Sequence, residues 1–289
     1  MRYLISLIQV FLFSSCFMQS ANGAEFTLFN NRLFMPAQIN GHQTQALLDS
    51  GAEMSLIDTR YALANSLTPE GEAVARGTGG QQAVQFVSGA EIKVDQAYLD
   101  NQTLIALDLT DISERLIGRP LTLVVGRSLF DRGPVWIDFT TNELQLVSPL
   151  DKSGDQWSKR LKHAEKLPLR EHKGIKQIPV FLEGKKVWAD FDLGNGSGAM
   201  ISRKLATELG LLSPERITGT KRGGGIGGEV TRQTILIKEL KIGGKSFSDL
   251  TIAVDDTDDS SSMNVGTHLL KHFSLLVDFP SDSLYLSQQ

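Results

Sequence analysis

Two aspartates stand where an acidic side chain is costly. Asp49 ends an apolar run, Ala46-Leu47-Leu48, and opens a turn of small residues, Ser50-Gly51-Ala52; Asp192 lies in Phe191-Asp192-Leu193-Gly194-Asn195. A carboxylate at the end of a buried strand has to be hydrogen-bonded or put to use. Gly51 lets the backbone fold back so that amide N–H groups can reach the carboxylate. Two readings follow: acid–base chemistry, or the capping of a turn through backbone N–H groups. Other candidates are weaker. His268 and His272 have a zinc-chelating spacing, but the metalloprotease pattern needs Glu after the first His, and Leu269 stands there with no third ligand. A structural or surface role is expected for both, and no metal. His42, His163 and His172 are isolated, which leaves a Ser-His-Asp triad without local support. The run Gly223–Gly228 meets the dinucleotide spacing, yet Glu229 to Ile237 after it reads as strand where that site needs a helix. A mobile hairpin tip closing over a substrate fits better, with an ordinary flexible turn as the alternative.

The elements that must position these residues come in two copies. Pro36, Gly41 and Asp49 recur as Pro179, Gly184 and Asp192, displaced by 143 residues. Gly126, Asp138, Phe139, Leu144 and Leu146 recur as Gly266, Asp278, Phe279, Leu284 and Leu286, displaced by 140. The chain therefore divides into a first unit at 25–148, a linker at 149–173 and a second unit at 174–289. Each unit reads mostly as strand, with turn signals at Asn40-Gly41 and Glu183-Gly184 and a hairpin from Val135 to Val147. Helix is expected only at Arg60 to Leu67, Arg203 to Leu211 and in short turns after Gly126 and Gly266. The linker is rich in Lys, Arg and His and reads as solvated. Trp157, Leu161, Ala164 and Leu167 allow it one helical face, and a basic docking site is the alternative.

The stretch from Ala46 through Ile57 resembles the active-site loop of retropepsin-like aspartic proteases, Asp-Ser/Thr-Gly-Ala after a hydrophobic strand. Leu123-Val124-Val125-Gly126-Arg127-Ser128-Leu129 resembles the segment that packs behind that loop. Gly224-Gly225-Ile226-Gly227-Gly228 resembles the flap tip of the retroviral enzymes, and Gly77-Thr78-Gly79-Gly80 sits in the equivalent region of the first copy. The resemblance implies a mostly β fold: two tandem retropepsin-like β-barrel lobes of the acid protease type, with short helices and a cleft between the lobes. It implies that Asp49 and Asp192 share one proton, because like charges so close cannot both ionise. One carboxylate then takes a proton from water while the other hydrogen-bonds the peptide carbonyl. Ser50, Gly51, Ala52 and Gly194 would support the two loops, and both glycine-rich flaps would cover an extended peptide or protein substrate held by backbone hydrogen bonds. No cofactor is implied, and a monomer suffices. Leu193 departs from the family, which has Ser or Thr there to bond across to the opposite loop. That departure motivates two alternatives: a catalytically inactive peptide- or protein-binding module, and an enzyme that uses Asp49 from two chains of a homodimer.

Composition agrees with a folded, non-nucleic-acid-binding chain. The 289 residues are 41% hydrophobic with a formal charge of −4, which argues against a nucleic-acid partner. The one cysteine, Cys16, excludes an internal disulfide. Met1-Arg2, the apolar Leu4 to Phe13 and the small-residue end at Ala21 to Ala24 read as a signal peptide over 1–24. The apolar part is too short for a membrane span of about 20 residues. A lipid anchor at Cys16 is the alternative. Either way the chain is expected to be exported, and an exported chain without disulfides fits a bacterial periplasm most naturally.

Overall fold

A computed structural model of the chain describes residues 23–148, 154–257 and 262–288. The signal stretch and Cys16 lie outside the described residues. The first lobe runs β1 (Ala24–Glu25), β2 (Thr27–Phe29), β3 (Arg32–Ile39), β4 (His42–Leu48), β5 (Leu56–Asp58), α1 (Thr59–Ala64), β6 (Glu70–Gly77), β7 (Gly80–Val94), β8 (Ala97–Leu107), a π-helical turn at Ile112–Ile117, β9 (Leu123–Val125), α2 (Ser128–Asp131), β10 (Val135–Asp138) and β11 (Glu143–Leu146). Then come α3 (Asp155–Arg160), β12 (Glu165–Pro168), β13 (Arg170–His172), β14 (Ile175–Leu182), β15 (Lys185–Asp192), β16 (Ala199–Ser202) and α4 (Arg203–Glu208). A 3-10 turn at Pro214–Arg216 leads into β17 (Ile217–Gly225), β18 (Gly228–Ile242), β19 (Lys245–Asp255), β20 (Met263–Gly266), α5 (Thr267–Leu270), β21 (Phe273–Asp278) and β22 (Ser283–Gln288).

The repeat in the sequence is a repeat in topology. The first lobe's sheet has the order β2-β3-β4-β9-β5-β8-β7-β6, with β3 also on β7; the second has β13-β14-β15-β20-β16-β19-β18-β17, with β14 also on β18. Alternation shows in β15, which buries every second side chain, Val187, Ala189 and Phe191. The tight hairpins at Asn40-Gly41 and Glu183-Gly184 have positive φ at both residues, 47° and 81° in each case, the geometry that matches strand twist. Both helices are shorter than their sequence pattern predicts. α1 stops at Ala64 and α4 at Glu208, because Ser66 and Gly210 turn the chain through positive φ.

A third sheet joins the lobes in the order β1-β11-β10-β21-β22-β12, three strands from each side of the 149–153 boundary. Its seam is β10 on β21, with Val135 opposite Val277 and Ile137 opposite Leu275. Beside it Phe130 and Phe279 pack with ring centroids 5.3 Å apart, so one apolar core runs through both lobes.

The expected solvated linker is a correction. Its described part is woven into the fold, with β12 paired to β22 and β13 to β14. Trp157 is 3% exposed and meets Trp136 edge-on at 5.5 Å, and Leu167 is buried. Burial of the apolar positions that the sequence shows as one face outweighs the surrounding charge. Trp157→Ala should therefore lower unfolding stability by about 3–5 kcal/mol. Denaturant titration checks this; a loss below about 1 kcal/mol would mean that the segment is a solvated tether after all.

Candidate active site

Each aspartate is delivered by the same local construction. β4 runs parallel to β9, and past its last residue the Asp49 amide donates to the Val125 carbonyl at 3.0 Å. The loop Ser50 to Met54 then folds over Gly126. A Cβ on Gly126 would lie 2.6 Å from the Ala52 carbonyl oxygen, so a larger residue cannot stand behind the loop. Ala52 presents that oxygen to the Arg127 amide at 2.9 Å. β15 and β20 repeat the arrangement under Asp192, with Gly266 in place of Gly126.

The two loops meet face to face. The Gly51 amide donates to its own Asp49 Oδ1 at 2.9 Å, and the Gly194 amide to Asp192 Oδ1 at 2.9 Å. A Cβ on Gly194 would sit 2.2 Å from Asp49 Cγ, and one on Gly51 would sit 2.9 Å from Asp192 Cγ. Each glycine is thus pressed against the opposite lobe's carboxyl. Ser50 Oγ donates to the Phe191 carbonyl at 2.8 Å and accepts from the Leu193 amide at 3.0 Å. Leu193 has no hydroxyl to return that bond, and its side chain is fully buried in the core instead. Its carbonyl is held by Thr267 Oγ1 at 2.9 Å.

The electrostatics are asymmetric. Burial, and then the charge of Asp192, push the Asp49 carboxyl up from 3.8 to about 8, against the Gly51 amide that favours its ionised form. Asp192 accepts from the Gly194 and Asn195 amides on Oδ1 (2.9 and 3.0 Å) and from Asn264 Nδ2 on Oδ2 (2.7 Å). Arg32, on β3 of the first lobe, is buried and crosses to the second loop, where its Nε donates to the Gly194 carbonyl at 3.1 Å. Burial lowers its pKa, while Asp192 and then Asp49 hold it up.

The glycine runs form two hairpin tips. β6–β7 closes with Gly77 opposite Gly80 around Thr78 and Gly79; β17–β18 closes with Gly225 opposite Gly228 around Ile226 and Gly227, and Gly224 faces Glu229. The tips touch each other. Gly79 N donates to the Ile226 carbonyl at 3.0 Å, and a Cβ on Gly79 would lie 2.2 Å from the Gly228 oxygen. From β18, Arg232 pairs with Asp255 at 2.9 Å, both buried, and also donates to the Thr78 carbonyl of the other tip. Arg115 in the first lobe donates to the Gly223 carbonyl at 3.0 Å.

Sequence reasoning missed Arg32, Asn264, Thr267 and the Arg232–Asp255 pair. The signal for Asn264 was available, since the 140-residue offset sets it against the apolar Val124. His268 and His272 stand apart from the dyad: His268 contacts Asn31 and His272 packs on Phe247. Among the described residues no cluster of His, Cys, Asp and Glu could hold a metal, and no helix is long and apolar enough to cross a membrane.

Known proteins resemble this chain in sequence. The profile of the aspartyl protease family matches residues 35–121 and 178–269, one stretch in each lobe. The UBA domain-containing protein Mud1 of Schizosaccharomyces pombe is 26% identical over 118 residues, 39% of this chain and 32% of its own. DNA damage-inducible protein 1 of Eremothecium gossypii is 25% identical over 121 residues, covering 40% of this chain and 23% of that protein. The chain thus spans a third or less of the length of these relatives. A retropepsin-like aspartic protease from Rickettsia conorii aligns with 43% of this chain and 91% of its own, at 23% identity and a TM-score of 0.35.

The Asp49 proton has a consequence for stability. The folded protein keeps it up to about 8, whereas an unfolded carboxyl loses it near 3.8, so stability falls as pH rises through that window. Asp49→Asn removes this loss. Its Tm advantage over the native chain should grow from about pH 4 to about pH 8, reaching at least about 2 °C. Melting curves across pH check it, and an advantage that shrank over that range would contradict it.

Proposed function

The chain belongs to the aspartyl protease family, and from that premise we propose that it is an aspartic endopeptidase whose water-activating pair is Asp49 and Asp192. The observation that carries the reading is the mutual approach of the two loops, each glycine against the opposite carboxyl, with a proton retained on one member.

The roles follow from where that proton lies. Asp192, the more heavily hydrogen-bonded carboxylate, takes a proton from water as the water oxygen attacks the peptide carbonyl carbon. Asp49 gives its proton to the carbonyl oxygen, forming a neutral tetrahedral diol. Asp192 then returns its proton to the amide nitrogen while Asp49 recovers one from the diol, and the C–N bond breaks. The pair ends as it began. The glycine-tipped hairpins serve as lids over an extended peptide, which their half-buried backbone can hold by strand pairing. Both halves of the site lie on one chain, which favours this reading over a homodimer that uses Asp49 twice. The inactive-module alternative rested on Leu193, and the bonds from Ser50 and Thr267 hold that loop without the missing hydroxyl. Action outside the cytoplasm is part of the proposal and rests on the N-terminal Met1 to Ala24 pattern.

Cleavage of a diverse peptide library over a pH series tests the assignment. Activity should fall as pH rises through about 8, where Asp49 loses the proton it must donate. Asp49→Asn and Asp192→Asn should each lower kcat/KM by about 10²–10⁴-fold. Full activity in Asp192→Asn would sink the dyad. A library left uncut by the native protein would favour the binding module.

A further inference from the structure

The repeat is broken next to the dyad on β20 as well as at Leu193. β9 meets β4 with Val125 opposite Leu48, and β20 meets β15 with Val265 opposite Phe191. Val124 and Asn264, each one residue earlier, therefore occupy the same position in the two lobes. Val124 is buried among apolar neighbours that include Phe34 and Leu56. Asn264 instead donates from Nδ2 to Asp192 Oδ2 at 2.7 Å, while its Oδ1 accepts from Asn195 Nδ2 at 2.6 Å. Asn195 is oriented in turn, since its own Oδ1 accepts from the Ser197 amide at 2.9 Å.

This chain has a direction. The Ser197 amide can only donate, so Asn195 must present oxygen to it and NH₂ to Asn264; Asn264 must then present oxygen to Asn195 and NH₂ to Asp192. A donor aimed at Asp192 Oδ2 favours the ionised carboxylate, whose oxygen accepts more strongly than that of the protonated acid. Asp49 has the Gly51 amide on Oδ1 but, among the described residues, no side-chain amide, because Val124 offers none. The lobe that lacks the loop hydroxyl at Leu193 is the lobe that has the amide.

We propose that Asn264 is a positioning residue that assigns the roles within the pair, holding Asp192 as the base and leaving the shared proton to Asp49. The inference rests on the reading of Asp49 and Asp192 as the catalytic pair. Among charged groups, Arg32 from β3 acts on Asp192 more than on Asp49 and so works in the same direction, and Asp49 faces Asp192 from the loop after β4. Asn264 is the neutral side-chain donor that makes direct contact with Asp192 Oδ2.

The test is to give the second lobe the first lobe's residue. Carbon-13 carboxyl titration of the full chain, assigned with Asp49→Asn and Asp192→Asn, follows the proton without any turnover. In the native protein the step near 8 should report at the Asp49 carboxyl. In Asn264→Val the same step should appear at both carboxyls. The acid limb of the kcat/KM profile should move up by about one pH unit, with kcat falling more than KM changes. Asn264→Asp keeps the shape and the acceptor toward Asn195 but puts a like charge on Asp192, and should move the limb further the same way. Either variant folding with both titration curves and the limb unchanged would overturn the proposal. If the native protein cleaves nothing, the carboxyl titration still decides the role of Asn264, and only the protease reading falls.

Discussion

Two carboxyl groups in one buried place repel each other and both lose hydration, and everything around Asp49 and Asp192 manages that cost. Their loops interlock so closely that Gly51 and Gly194 each occupy space that a methyl group would take from the opposite aspartate. The amides of those glycines supply partial positive charge, and Arg32 supplies a full one from within the contact. One proton, retained on Asp49, removes the remaining conflict. A single lobe offers one carboxylate and no reason for such a proton. The joining sheet, with β10 on β21 at its seam, is what makes the pair.

The duplication supplies the framework, and the departures from it supply the asymmetry. A symmetric dyad has no preferred base. Here Leu193 replaces a hydroxyl-bearing residue, Asn264 replaces an apolar one, and Arg32 crosses from the first lobe to the second loop without a counterpart crossing back, since Ile175 stands at its repeat position. Each change falls near the carboxyls, where a difference of one hydrogen bond decides which oxygen holds the proton. The same pattern recurs at the hairpin tips, where the Arg232–Asp255 pair reaches the first lobe's Thr78 while the first lobe has Val84 and Leu107 buried in its own flap region.

Much of the fold was legible in the chain. The 143- and 140-residue offsets, the apolar strand before each aspartate and the glycine tips are local patterns, and local patterns survive translation into structure. The linker was read wrongly for the opposite reason. Its charges are dense, and the helical face of Trp157, Leu161, Ala164 and Leu167 shows in the sequence without the partner that buries it. Only the presence of Trp136 across the sheet makes Trp157 a core residue. Helix ends at Ala64 and Glu208 were likewise set by positive-φ turns that apolar spacing does not register.

By itself the sequence determined that there are two copies of one strand-rich unit, that each brings an aspartate on a small-residue loop, and that the second loop lacks its hydroxyl. These are matters of residue type and spacing along the chain. The tertiary structure decided which atoms those aspartates face: the opposite glycines, the Arg32 guanidinium, the Asn264 amide. Proton placement depends on charge and hydrogen-bond geometry over a few ångströms, between residues separated by as many as 162 positions. Such proximity is created only when the lobes close on each other.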